Sequence, residues 1–96
     1  MKKRISVLWL VLIFCSISIS GCYYSSAKTE MRRAESVLME LRDAGGPAKT
    51  PYEYSSAESL LEASKMEFKE NDYKHAREFA TRSISAGQAG LGQVKK

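Results

Sequence analysis

Residues 50–84, TPYEYSSAESLLEASKMEFKENDYKHAREFATRSI, carry the pattern that decides the fold. Thr50 can cap free helix amides, Pro51 suits the first helical position, and Glu53 stands three residues after Thr50, as a capping box requires. Tyr54, Ala57, Leu60, Leu61, Ser64 and Phe68 then form one apolar stripe at helical spacing, with Glu58, Glu62, Lys65 and Lys69 outside it. Asn71-Asp72 interrupts the stripe, because both side chains bond nearby backbone amides in competition with helix. A second stripe follows in Tyr73, Ala76, Phe79, Ala80, Ser83 and Ile84. The pattern predicts helices over 51–70 and 73–89 folded into an antiparallel hairpin. Its packing face is Leu60, Leu61, Ser64 and Phe68 against Tyr73, Ala76, Phe79, Ala80 and Ile84. Small residues at 64, 76 and 80 let the two backbones approach. Beyond Gly87 the helix is expected to fray, since Gly90 and Gly92 each cost about 1 kcal/mol relative to alanine, leaving 90–96 as a flexible tail.

Upstream, Met31, Ala34, Val37, Leu38 and Leu41 recur at three- and four-residue steps and predict an amphipathic helix over 27–44. Gly45-Gly46-Pro47 stops it, because glycine takes the left-handed cap conformation and proline cannot continue the hydrogen-bond ladder. The expected fold is therefore all-α, a small bundle of about three helices over 27–89. From Cys22 onward the chain has 75 residues, enough for one small domain with a thin core and no deep catalytic cavity.

The amino terminus reads differently. Met1-Lys2-Lys3-Arg4 is a compact positive charge, and Ile5 to Ile19 follows without a charged residue. That is the layout of an export signal over 1–21. The apolar run is shorter than the roughly 20 residues of a spanning helix and is diluted by Ser6, Ser16 and Ser18. It ends in Ile19-Ser20-Gly21-Cys22, which resembles the lipobox of bacterial lipoproteins. The resemblance implies a diacylglycerol thioether on Cys22, cleavage between Gly21 and Cys22, and palmitate or a similar acyl chain on the new amino group. Ser20 and Gly21 supply the small side chains such a cut needs. Cys15 follows bulky Phe14 inside the apolar run and is the poorer candidate. With the signal removed Cys22 has no second cysteine to pair with, and residues 22–26 become a short lipidated tether. Two or three acyl chains hold a protein on its membrane, whereas one holds only marginally. Tyr23 stands where inner-membrane lipoproteins of two-membrane bacteria usually carry aspartate, so the expected address is the outer membrane, facing the periplasm.

Cleavage also changes the charge. The whole chain carries 15 Lys and Arg against 11 Asp and Glu, but Lys2, Lys3 and Arg4 belong to the signal, leaving 12 against 11. The basic balance therefore gives no argument for nucleic-acid binding.

Two further resemblances attach to the hairpin. Leu60 and Tyr73, with the small residues Ser64, Ala76, Ala80 and Ser83, are similar to a single tetratricopeptide repeat, although Gln88 stands where proline is usual and Glu67 where an aromatic is. A lone repeat cannot bury its own face, so the likeness implies a hairpin and not a solenoid. Pro51-Tyr52-Glu53-Tyr54 and the Asp72-Tyr73-x-x-Ala76 turn resemble a family of bacterial envelope lipoproteins, domain of unknown function family 4398. That resemblance spans about Ala34 to Ala89 and implies a lipid-anchored, all-helical envelope protein, with no reaction or ligand attached.

No catalytic constellation stands out. His75 is the single histidine and begins a helix on its exposed side, and metal sites need several convergent ligands. Gly45-Gly46 lacks the lysine and strand of a phosphate loop. Tyr52, Tyr54 and Tyr73 suit the rim of a small core. Catalytic, metal and cofactor sites are accordingly expected to be absent. The expected role is a non-catalytic interaction or structural lipoprotein whose hairpin groove takes a partner protein or wall component. The alternative is a small envelope enzyme, or an inhibitor of one, which would need Glu53 and Glu58 paired in a concave pocket.

Overall fold

The computed structural model describes the backbone of residues 2–96 and the side chains of residues 4–14 and 22–96. Every regular element in that range is helical: α1 (Lys2–Asp43), α2 (Gly46–Lys49), α3 (Pro51–Lys69) and α4 (Tyr73–Val94). Among the described residues there is no strand.

Three long helices share one core. Buried positions on α1 are Ala27, Ala34 and Leu41, one every seven residues, which is the repeat of a helix kept face-on to a partner. On α3 they are Ala57, Leu61 and Ser64. On α4 they are Ala76, Ala80, Ser83, Gly87 and Gly90, alternating steps of four and three along the helix, with Ile84 beside Ser83 on the same stripe. Ala34, Leu61 and Ile84, one from each long helix, meet in the middle, with Val37 and Leu38 packed beside them.

The direction of each helix follows from which residues meet. Ser64 of α3 bonds Ala76 of α4, and Ser83 of α4 bonds Ala57 of α3, so these two helices run antiparallel. Tyr24 meets Tyr73, Val37 approaches Gly87, and Leu41 approaches Gly90. Both numbers rise together, and α1 runs parallel to α4. The bundle is up-down-up, with the α3–α4 turn at the same end as Tyr24. The extents are 68 × 22 × 15 Å, because α1 continues past the hairpin turn and leaves the large apolar side chains from Ile5 to Phe14 more than half exposed. No helix among the described residues is long and apolar enough to cross a membrane.

Several sequence expectations need correction. Residues 22–26, expected to form a tether, are part of α1, which is continuous through them. The Tyr24 ring lies on Phe68 and Tyr73 and fixes this stretch to the bundle. The segment between the first two bundle helices holds one turn of helix, α2, entered through Gly45 in the left-handed region at φ 89°. Thr50 does not cap α3 with its side chain. It is buried, and its hydroxyl donates to the Gly46 carbonyl at 3.3 Å. Glu53 does not close a capping box; its carboxylate accepts from Gln93 Nε2 at 3.0 Å.

The largest difference is at the carboxyl end, where α4 continues to Val94. Gly87 and Gly90 act as contact points for α1, not as helix breakers. A Cβ at Gly87 would lie 2.5 Å from Val37 Cγ1, and one at Gly90 would lie 2.8 Å from Leu41 Cδ2. The propensity cost of glycine is offset by the side chains its absence of a Cβ admits.

Candidate functional site

The turn end of the bundle concentrates the residues with chemistry. Cys22 is exposed there and its thiol is free. Gly21, on the other side of the expected cut, lies outside the residues whose side chains are described, as do Cys15, Ile19 and Ser20. Two residues beyond Cys22, the Tyr24 ring sits 5.3 Å from Phe68 and 5.0 Å from Tyr73, with 5.1 Å between those two. Edge-on and tilted contacts of this kind let ring hydrogens meet ring faces. Lys28 Nζ lies 5.3 Å above the Tyr24 ring.

The turn itself is built from local bonds. Asn71 takes φ 65°, a conformation asparagine tolerates better than most residues, and Tyr73 O–H donates to its Oδ1 at 2.9 Å. Asp72 caps α4 by accepting the His75 amide at 3.2 Å. The same carboxylate faces His75 Nδ1 at 2.8 Å. The bond to His75, then its amide, holds the Asp72 carboxyl below its ordinary range. In return the Asp72 hydrogen bond, reinforced by its charge, raises the imidazole above its ordinary value. Glu67, Asp72 and His75 each bring one ligand-type atom within 4.8 Å of the others. Asp72 already has a role there as the helix cap, so the grouping is accounted for by the turn.

Two open grooves flank α4. One, of about 500 Å³, lies between Tyr23 and the α4 side chains Lys74, Arg77, Glu78, Thr81 and Arg82. The other, of about 370 Å³, is lined by Tyr52, Ser55, Ser56, Ser59 and Leu60, with Arg82 shared. Neither Glu53 nor Glu58 lines either of them.

The residues read as hairpin packing separate into two groups. Leu61, Ser64, Ala76, Ala80 and Ile84 are buried. Leu60, Phe68, Tyr73 and Phe79 are half-buried at the margins, with Leu60 on a groove wall and Arg82 lying 5.7 Å from the Phe79 ring. Sequence periodicity missed the Tyr23 and Tyr24 contacts, because a pair of aromatics beside serines carries no stripe of its own. It also missed the groove. The signal available was Lys74, Arg77 and Arg82 recurring on one helical face, which reads equally as a solvated surface.

No protein-family model, curated protein or solved structure matches the chain.

Proposed function

We propose that the chain is the precursor of a bacterial lipoprotein in which Cys22 carries the lipid and the three-helix bundle is a non-catalytic interaction or structural module of the cell envelope. The observation that carries this is the order of residue types at the amino terminus: Lys2-Lys3-Arg4, an uncharged apolar run, then Ile19-Ser20-Gly21-Cys22. The described structure is compatible with removal of residues 1–21. Among the residues whose side chains are described, the buried ones all lie at Ala27 or later, and Cys22 is open to solvent at one end of the bundle.

The close antiparallel pairing of α3 and α4 through small residues supports the likeness to a tetratricopeptide hairpin, while the resemblance to the envelope lipoprotein family 4398 rests on Pro51-Tyr52-Glu53-Tyr54 and the Asp72-Tyr73-x-x-Ala76 turn alone. The groove beside Tyr52 and Leu60, with Tyr52 78 % exposed, is the surface offered to a partner protein or wall component. Tyr23 in place of aspartate favours the outer membrane, facing the periplasm. Metabolic labelling with a fatty acid tests the anchor: the parent should incorporate label and Cys22→Ser should not. Label persisting on Cys22→Ser would remove the basis of this reading.

A further inference from the structure

Under the lipoprotein reading the acyl chains leave from Cys22, and the packing of Tyr24 on Phe68 and Tyr73 then fixes which end of the bundle meets the membrane. It is the end with the α3–α4 turn, where α4 starts at Tyr73. Lys74 and Arg77 sit within about 6 Å of that start along the axis, at 1.5 Å per residue. The headgroup layer is about 5–8 Å deep on each side of the hydrocarbon. Both cations therefore stand at headgroup depth, and Arg82 lies further up the same groove.

The groove's charge differs from that of the segment from Cys22 onward taken as a whole. Lys74, Arg77 and Arg82 line it together with one carboxylate, Glu78, whereas the segment from Cys22 onward is nearly neutral. Among the described residues, the ion pairs are Arg33–Glu30, Lys65–Glu35 and His75–Asp72, and none uses a groove cation. The turn's carboxylates, Glu67, Glu70 and Asp72, do not line the groove. Thr81 commits its hydroxyl proton to the Arg77 carbonyl at 2.9 Å, so the ammonium and the two guanidiniums are its principal donors. Guanidinium presents a planar fork that matches two phosphate oxygens, and an ammonium adds a point charge. Tyr23, next in sequence to Cys22, closes the side toward the anchor.

We infer that this groove binds the phosphate of an anionic phospholipid headgroup in the membrane that holds Cys22. The inference rests on the lipoprotein reading for its orientation. It gives the bundle a second, electrostatic contact with the bilayer beside the covalent one, which sets the tilt of the helices on the surface and leaves the Tyr52–Leu60 groove available to a partner.

The test uses the whole protein, extracted from its membrane in an uncharged detergent and followed by NMR. Titration with dihexanoylphosphatidylglycerol should give saturable shifts at Tyr23, Lys74, Arg77 and Arg82, and dihexanoylphosphatidylcholine should give none. Arg77→Glu or Lys74→Glu, both exposed positions, should weaken the anionic lipid at least about tenfold, while Lys49→Glu at the opposite end should not. Equal shifts with the choline lipid, or none with the anionic one, would overturn the proposal. Inorganic phosphate binding as tightly as the anionic lipid would overturn it too, by making the ligand a free anion. The intact mass of the same sample reports whether Cys22 is lipidated, so loss of the anchor and loss of headgroup binding are read separately.

Discussion

Ser64 of α3 donates its hydroxyl to the main-chain carbonyl of Ala76 of α4 at 2.6 Å, with both residues sealed from solvent. Ser83 returns the arrangement, donating to the Ala57 carbonyl at 2.6 Å. A serine hydroxyl can reach a carbonyl on a facing helix only when the backbones are close. The small residues around it, Ala57, Ala76 and Ala80, make that approach possible. The hydroxyls are thus buried without being left unpaired, which would cost more than the bonds contribute.

Each of these bonds should be measurable. Ser64→Ala or Ser83→Ala removes one bond while its carbonyl remains in the helix ladder, and should lower stability by about 0.5–1.5 kcal/mol. Thermal melts of residues 22–96 carrying Cys22→Ser provide the readout. An unchanged melt for both variants would mean that the hydroxyls do not bridge the helices.

Ala76 faces the same interface with no exposed surface. Ala76→Leu should overpack the contact and cost about 1–3 kcal/mol. Lys74→Ala and Glu78→Ala, both on the exposed side, should change stability by about 0.5 kcal/mol or less. If Ala76→Leu melts like the parent, α3 and α4 do not pack through this face.

Glycine substitutions give a test of sign. On helix propensity alone, Gly87→Ala and Gly92→Ala should each stabilise by up to about 1 kcal/mol. A Cβ at Gly92 meets nothing within 4 Å, whereas one at Gly87 would lie 2.5 Å from Val37 Cγ1 on a branched, stiff side chain. Gly92→Ala should therefore raise the melting temperature and Gly87→Ala should lower it, with Val37→Ala relieving the clash in the double variant. A rise for both single variants would show that α1 does not approach α4 at this level.

The Asp72–His75 pair predicts a pH window. His75 is raised above its ordinary 6.5, so its contribution is complete below that value and is lost as pH climbs through the raised one. Asp72 is lowered below its ordinary 3.8, so its contribution is complete above that value and is lost as pH falls through the lowered one. The pair stabilises most between the two ordinary values. The difference in melting temperature between parent and His75→Gln should be largest near about pH 5 and shrink toward about pH 9. A difference constant over that range would place the cap's stability elsewhere. Both groups are exposed, so the effect is small and screened by salt.

Much of the architecture was legible because apolar periodicity records burial. Ala34 and Leu41, Leu61 and Ser64, and Ala76, Ala80 and Ile84 all stand on the faces their spacing assigns. The hairpin turn was legible at Asn71-Asp72 for local chemical reasons. What escaped the pattern depends on neighbours distant in sequence. Glycine at 87 and 90 has the same local preference whether it frays a helix or admits Val37 and Leu41. Tyr24 reveals its role only beside Phe68 and Tyr73. Thr50 had the right identity for a cap, but its hydroxyl bonds to Gly46 because α2 places that carbonyl within reach.

The intact mass of the protein isolated from its cell envelope reads cleavage before Cys22 and lipidation of Cys22 in a single measurement. That mass should be that of a chain beginning at Cys22, heavier than residues 22–96 by a diacylglycerol and, where the amino group is acylated, a further fatty acyl group, with all added mass on the peptide that contains Cys22. A chain that retains residues 1–21, or one that carries Cys22 as an unmodified thiol, would contradict the lipoprotein reading.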